Sequence, residues 1–257
     1  ETLVLTKKDD VTTVTLNRPD VHNAMNETLM NELTRCFHQL STDDSIRVII
    51  LTGNGKSFCA GADLTWMKKM VNYSQEENKK DSRLLLDMYE SIHSCPKPVL
   101  GRVNGAAFGG GIGLLAVCDI TITVPEVTFA FSEVKLGIIP AVISTFVGPR
   151  MTPATMRRLF ITGERFDSAT AQKIGLIDII VTPDKLDETI NTSVEQIRSS
   201  GPHAIQEVKH LMDNRVKMDV KDYKEFTVEK ISELRVSQEG QEGIKGFLEK
   251  RKPSWKR

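Results

Sequence analysis

Cysteine is scarce in this chain: Cys36, Cys59, Cys95 and Cys118 lie far apart and form no C-x-x-C pair. That spacing argues against a zinc site or a disulfide framework and fits a reducing compartment, so a cytoplasmic location is expected. Long apolar runs are missing too. The run that ends at Leu51 falls far short of the roughly 20 residues that span a bilayer, so no membrane association is expected. An excess of one charge is also absent. Lys plus Arg and Asp plus Glu number 34 each, so no global field steers the protein toward nucleic acid or an anionic surface. No charged-then-apolar secretory start opens the chain, and the first residue is Glu1 rather than Met, which is compatible with a removed leader.

What is present is a globular composition, 26% charged and 40% hydrophobic over 257 residues. A chain near this size can bury about three quarters of its unfolded surface, so it needs no metal or disulfide to hold a core. Leu3-Val4-Leu5 and Val11–Leu16 flank Lys8-Asp9-Asp10, which predicts a hairpin. Asn26 precedes Leu29, Leu33, Phe37 and Leu40 at helical spacing. Ile46–Leu51 is a continuous β-branched run, the pattern of a strand buried on both faces. Ser74-Gln75-Glu76-Glu77 has capping-box spacing and opens a helix to about His93. Pro98–Val103 and Asp119–Val124 read as further strands, with a glycine-rich stretch and a short helix between them.

This alternation argues for an α/β fold with a parallel or mixed sheet. Beyond Thr152 strand signals nearly vanish, and Ser168–Lys173, Lys185–Ser199, Pro202–Asn214 and Tyr223–Arg235 read as helices. The expected division is an α/β core over 1–190 and a helical region over 191–257, ending in a basic tail from Glu249 to Arg257.

Several motifs fail on context. Gly55-Lys56-Ser57 lacks the earlier glycine of a phosphate loop, since Ile50 stands there within a strand. Gly111-Ile112-Gly113-Leu114-Leu115-Ala116 matches a dinucleotide fingerprint, but the strand at Asp119 begins too soon for a crossover helix. His203 and His210 could share a helix face, yet two ligands make no metal site. No G-x-S-x-G elbow occurs.

Two small-residue segments carry more weight: Ser57-Phe58-Cys59-Ala60-Gly61-Ala62-Asp63-Leu64 and Asn104-Gly105-Ala106-Ala107-Phe108-Gly109-Gly110-Gly111. Each follows a predicted buried strand, where ligands bind in open α/β sheets, and small side chains admit a ligand close to the backbone. One N–H donor from each could bracket a carbonyl oxygen as its charge grows, a donor being worth about 3–4 kcal/mol in a transition state. A third segment, Phe131-Ser132-Glu133-Val134-Lys135-Leu136-Gly137, sets Glu133 among apolar residues, which raises a carboxyl pKa and suits it to proton transfer; taken alone it reads equally as a surface or salt-bridged carboxylate.

Together the three segments resemble the crotonase, or enoyl-CoA hydratase/isomerase, family. Its patterns are close to F-x-A-G-A-D-L, N-G-x-A-x-G-G-G-x-E-L and P-E-x-x-L-G-x-x-P. Leu16-Asn17-Arg18-Pro19, Asn23-Ala24-Met25, Cys118-Asp119, Gly175-Leu176 and Phe247-Leu248-Glu249-Lys250-Arg251 extend the match in order along nearly the whole chain. The resemblance implies repeated ββα turns and a helical C-terminal region that trimerises, as a homotrimer or a dimer of trimers. It implies an acyl-CoA substrate, with coenzyme A present only as part of the thioester and no metal. By position, the Ala62 and Gly110 N–H groups form an oxyanion hole and Glu133 is the acid/base. Arg18, Ala24, Lys56 and Ala60 line the adenine and phosphate end of coenzyme A, and Asp63 and Leu64 belong to the same binding set. Phe247 and Lys250 reach a neighbouring subunit's coenzyme A.

The chain also departs from the pattern. The first of the family's two glutamates falls at Gly113, Phe131-Ser132-Glu133 lacks a proline before the glutamate, and G-x-G-G becomes Ala141-Val142-Ile143-Ser144. Gly113 is expected to open space for a water or a branched acyl chain. The details look most like a bacterial branch acting on methylglutaconyl-CoA or isohexenylglutaconyl-CoA, whose distal carboxylate wants a cation; Lys68, Lys69 and Arg83 are candidates. The expected activity is hydration of a branched acidic enoyl-CoA such as 3-methylglutaconyl-CoA. The alternative is a Δ3,Δ2-enoyl-CoA isomerase, for which one glutamate suffices. A non-catalytic acyl-CoA-binding homologue is disfavoured by the intact loops.

Overall fold

Local chemistry sets the first helices of the computed structural model, which describes residues 1–255. The Asn26 side chain caps its helix by accepting from the Leu29 N–H at 2.9 Å. Ser74 and Glu77 form the expected reciprocal capping box. The elements run β1 (Leu3–Lys8), β2 (Val11–Leu16), α1 (Glu27–Thr42), β3 (Val48–Gly53), β4 (Ser57–Cys59), α2 (Leu64–Met70), α3 (Gln75–His93) and β5 (Val99–Val103). Next come β6 (Ala106–Phe108), α4 (Gly110–Ala116), β7 (Ile120–Thr123), β8 (Phe129–Ala130), α5 (Ala141–Val147), α6 (Pro153–Thr162), β9 (Arg165–Phe166) and α7 (Ser168–Lys173). The chain ends with β10 (Ile179–Ile180), α8 (Leu186–Arg198), α9 (Pro202–Lys217), α10 (Val220–Val236) and α11 (Gln238–Leu248).

The strands form two mixed sheets. One has six strands in the order β1-β2-β3-β5-β7-β10, antiparallel only between β1 and β2. The other has four in the order β4-β6-β8-β9, with β4, β6 and β8 parallel and β9 antiparallel. The chain makes the same move three times: β3 then β4, β5 then β6, β7 then β8. Each pair gives its first strand to the large sheet and its second to the small one, and a helix follows. This is the repeated ββα pattern.

The small sheet corrects two expectations. Ser57–Leu64 and Asn104–Gly111 are not loops throughout, because Ser57–Cys59 and Ala106–Phe108 are strands within them. Strands also persist beyond Thr152, as β9 and β10 of two residues each, too short to show any periodicity.

Residues Glu1–Cys95 and Val99–Ile190 form one compact unit; Pro96–Pro98 and the chain from Asn191 form a second. In the first, every residue of β3 is buried, and α1 buries Leu29, Met30, Leu33, Cys36, Phe37 and Leu40. Each large apolar side chain so buried contributes about 1.5–3 kcal/mol. All four cysteines are buried and none is in a disulfide. Burial pushes the Cys59 thiol up to about 12, which leaves it inert at neutral pH. In the second unit α9, α10 and α11 carry exposed Val208, Met212, Val216, Val228, Ile231 and Phe247. Lys256 and Arg257, the end of the expected basic tail, lie outside the described residues. No helix among the described residues is long and apolar enough to cross a membrane.

Candidate active site

The small sheet brings the three segments together. Its parallel strands β4, β6 and β8 are neighbours, so their C-terminal ends lie side by side. Ala62 follows β4, Gly110 follows β6, and Glu133 follows β8 in a single 3₁₀ turn, Glu133–Leu136.

Close approach explains the small residues. A Cβ on Gly105 would lie 2.1 Å from the Lys56 carbonyl oxygen, and one on Gly111 would lie 2.2 Å from that of Cys59. Backbone packs against backbone at both points. Gly109 has φ +47° and a Cβ there would meet Glu133 Oε1 at 3.0 Å, so it must turn the chain and also make room for the carboxylate.

Ala62 is held from below by Met25. The Met25 N–H donates to the Gly61 carbonyl at 2.7 Å, and the Asp63 N–H donates to the Met25 carbonyl at 2.8 Å. Among the described residues, neither the Ala62 nor the Gly110 N–H meets a protein acceptor. Both residues are half-buried.

Glu133 Oε2 is buried and has no hydrogen-bond partner. Burial pushes the Glu133 carboxyl above the ordinary carboxylate range, partly offset by a backbone hydrogen bond. Leaving such an oxygen unmatched costs about 1–3 kcal/mol, a cost that a core position has no reason to carry.

Ala60 and Asp63 lie in the segment between β4 and α2, Leu64 opens α2, Arg18 links Asp63 to Ala24, and Lys56 sits on the exposed turn before β4. Arg18 donates to Asp63 Oδ2 at 2.7 Å and also to the Ala24 carbonyl. Asp63 caps α2 by accepting from the Thr65 and Trp66 N–H groups at 2.7 and 3.2 Å. Burial pushes the Asp63 carboxyl up, but Arg18 and the two N–H donors outweigh it and hold it below its ordinary value. The Ala60 N–H donates to the His22 carbonyl at 3.0 Å, and Leu64 is 75% exposed at the start of α2. Asn23 pins the approach: its side chain donates to the Asn54 and Ser57 carbonyls and accepts from the Arg18 N–H. Phe247 and Lys250 lie in the second unit; Phe247 is 84% exposed and Lys250 has φ +55°.

Gly113 does not open a space. A Cβ there would lie 2.6 Å from Tyr89 Cζ, 2.7 Å from its hydroxyl and 2.6 Å from Ile143 Cγ2. The expected room for a water or an acyl branch beside Gly113 is therefore filled by the Tyr89 ring and by Ile143. Tyr89 was invisible as a site residue in the sequence. It falls on the buried face of α3 with Met88 and Ile92, and nothing in that pattern separates it from core. Met25 was legible only as part of a motif, yet its Cε would sit 2.1 Å from a Cβ on Gly110.

Lys68, Lys69 and Arg83 are exposed, and Lys69 lies 3.7 Å from Glu27. His203 and His210 flank Glu207 at 3.7 and 3.6 Å on α9. No group of three or more His, Cys, Asp or Glu among the described residues could hold a metal.

Three repeated ββα turns that end in one row of parallel strands, with a carboxylate after the third, define an α/β crotonase fold, and solved structures agree. An enoyl-CoA hydratase from Shewanella pealeana is 36% identical, covers 99% of this chain and 96% of its own, and superposes with a TM-score of 0.95. Pseudomonas aeruginosa AtuE is 32% identical over the full length of both chains, with a TM-score of 0.96. A short-chain-enoyl-CoA hydratase from Clostridium acetobutylicum is 31% identical over 97% of this chain and 95% of its own. The family model described as enoyl-CoA hydratase/isomerase matches residues 6–257, and the chain is an enzyme of that family.

Proposed function

We propose that this protein is an enoyl-CoA hydratase in which Glu133 moves the proton and the Ala62 and Gly110 N–H groups hold the thioester oxygen. The observation that carries this reading is the buried Glu133 carboxylate, with Oε2 unpartnered and Oε1 packed over Gly109, the residue that precedes the free N–H of Gly110. Full-length similarity to curated hydratases supports it. In hydration, Glu133 as carboxylate takes a proton from water while the water oxygen bonds to Cβ. The π electrons pass to the thioester oxygen, where two N–H donors stabilise the negative charge. The enolate collapses, Cα takes the proton back from Glu133, and the carboxylate is restored. One carboxylate thus serves both ends of the addition.

Arg18, Ala24, Lys56 and Ala60, with Asp63 and Leu64, are proposed to receive coenzyme A, and Phe247 and Lys250 to act on a neighbouring subunit's ligand in a trimer or a dimer of trimers. The substrate is proposed to be a branched, acidic enoyl-CoA such as 3-methylglutaconyl-CoA, on the strength of the sequence resemblance. A second reading, Δ3,Δ2-enoyl-CoA isomerisation, is favoured by one observation: Gly113, Tyr89 and Ile143 leave no second carboxylate beside Glu133. Isomerisation needs one base to carry a proton between two carbons.

Incubation with a panel of enoyl-CoA esters in ¹⁸O-water separates the two. Hydration is expected to add water and the heavy isotope to a conjugated 2-enoyl-CoA. A protein that converts 3-enoyl to 2-enoyl esters without ever incorporating ¹⁸O sinks the hydratase reading and leaves the isomerase.

A further inference from the structure

Tyr89 stands where the chain lacks a glutamate. Its ring fills the space over Gly113 and its hydroxyl donates to the Gly110 carbonyl at 2.7 Å. The ring is held by Phe146 of α5, with centroids 5.6 Å apart, and by Ile143 on the same helix. Gly110 is gripped from two sides, since a Cβ there would lie 2.1 Å from Met25 Cε and 3.0 Å from the Tyr89 hydroxyl. Met25 in turn is bridged through its backbone to Ala62. The two proposed oxyanion donors thus share one support, to which Tyr89 brings a side-chain hydrogen bond.

We infer that Tyr89 is the positioning residue of the oxyanion hole, anchoring Gly110 at the start of α4 through its bond to the Gly110 carbonyl and so the place of the Gly110 N–H, and that the exchange of a glutamate for Gly113 is what makes room for it. This rests on the reading that Ala62 and Gly110 hold the thioester oxygen. Tyr89 is fully buried. Burial pushes its hydroxyl well above the ordinary tyrosine value, and the neighbouring Cys59 and Glu133 groups push the same way, so it remains a donor at every working pH. The reciprocal fit follows from volume: a side chain at position 113 and the Tyr89 ring cannot both occupy the same space.

Tyr89→Phe keeps the ring over Gly113 and removes only the hydroxyl. Loss of one positioning hydrogen bond is expected to lower kcat about tenfold with KM little changed. The probe that reads the hole directly is acetoacetyl-CoA, which enolises to place negative charge on its oxygens and whose enolate has its own ultraviolet band. Wild type is expected to raise the enolate fraction of the bound probe above that of free probe at the same pH. Tyr89→Phe is expected to bind the probe yet lower the bound enolisation equilibrium by about the same tenfold. If the variant matches wild type in enolate fraction and in kcat, and differs only in melting temperature, Tyr89 is a core residue and the inference is overturned. If wild type itself shows no enolate enrichment, the oxyanion reading fails first and takes this inference with it.

Discussion

At the residue scale, the role proposed for Glu133 rests on surroundings that leave it charged only at a cost. Glu133→Gln keeps its shape and removes its basicity. Turnover is expected to fall by most of its value while binding of a CoA ester, followed by calorimetry, stays nearly intact. Burial raises the carboxyl pKa, and the base must be ionised to accept a proton from water. Activity is therefore expected to rise with pH through a midpoint above the ordinary carboxylate range, and this acid limb should vanish in what activity Glu133→Gln retains. The same shift has a sign for stability. A folded-state pKa above the unfolded one means that the native state binds the proton more tightly, so stability falls as pH rises through the window. The glutamine variant does not titrate, and its melting temperature at pH 7 is expected to equal or exceed that of wild type. An unchanged reaction rate, or a variant that melts well below wild type, would count against a strained catalytic carboxylate.

At the element scale, the proposed site is the rim of the small sheet. Three short parallel strands of two or three residues set their three following segments side by side, and glycines let backbone meet backbone between them. Gly111→Ala tests this. Its Cβ would meet the Cys59 carbonyl at 2.2 Å, and a backbone atom has no rotamer by which to retreat. Overpacking of this kind is expected to cost about 1–3 kcal/mol in chemical denaturation and to lower activity by pushing the β4 and β6 ends apart. Gly113→Val collides instead with the Tyr89 ring and Ile143. It is expected to depress hydration and double-bond shift together, since it displaces the support of the oxyanion loop rather than a water.

At the scale of the whole molecule, the second unit exposes a run of large apolar side chains on α9 to α11, Phe247 at 84% among them. Soluble monomers rarely leave such patches uncovered. Light scattering coupled to size exclusion is expected to give a mass of three or six chains, and a monomer at micromolar concentration would remove the proposed contribution of Phe247 and Lys250 to a neighbour's site.

Much of the fold was legible in the residues. Asn26, the Ser74–Glu77 box and the unbroken apolar run before Gly53 set their elements through local capping and two-faced burial, which need no distant partner. Glu133 drew notice as a carboxylate among apolar residues and the two small-residue segments as bare backbone, while the roles proposed for Ala62 and Gly110 came from the family resemblance. The small sheet was not legible, for strands of two or three residues carry no period and exist only because they pair with each other. Nor was Tyr89. A glycine in a sequence says that a side chain is missing; whether the space stays empty depends on which helix packs across it. Here α3 and α5 close over Gly113 and fill it with a tyrosine ring, and only packing in three dimensions could decide that.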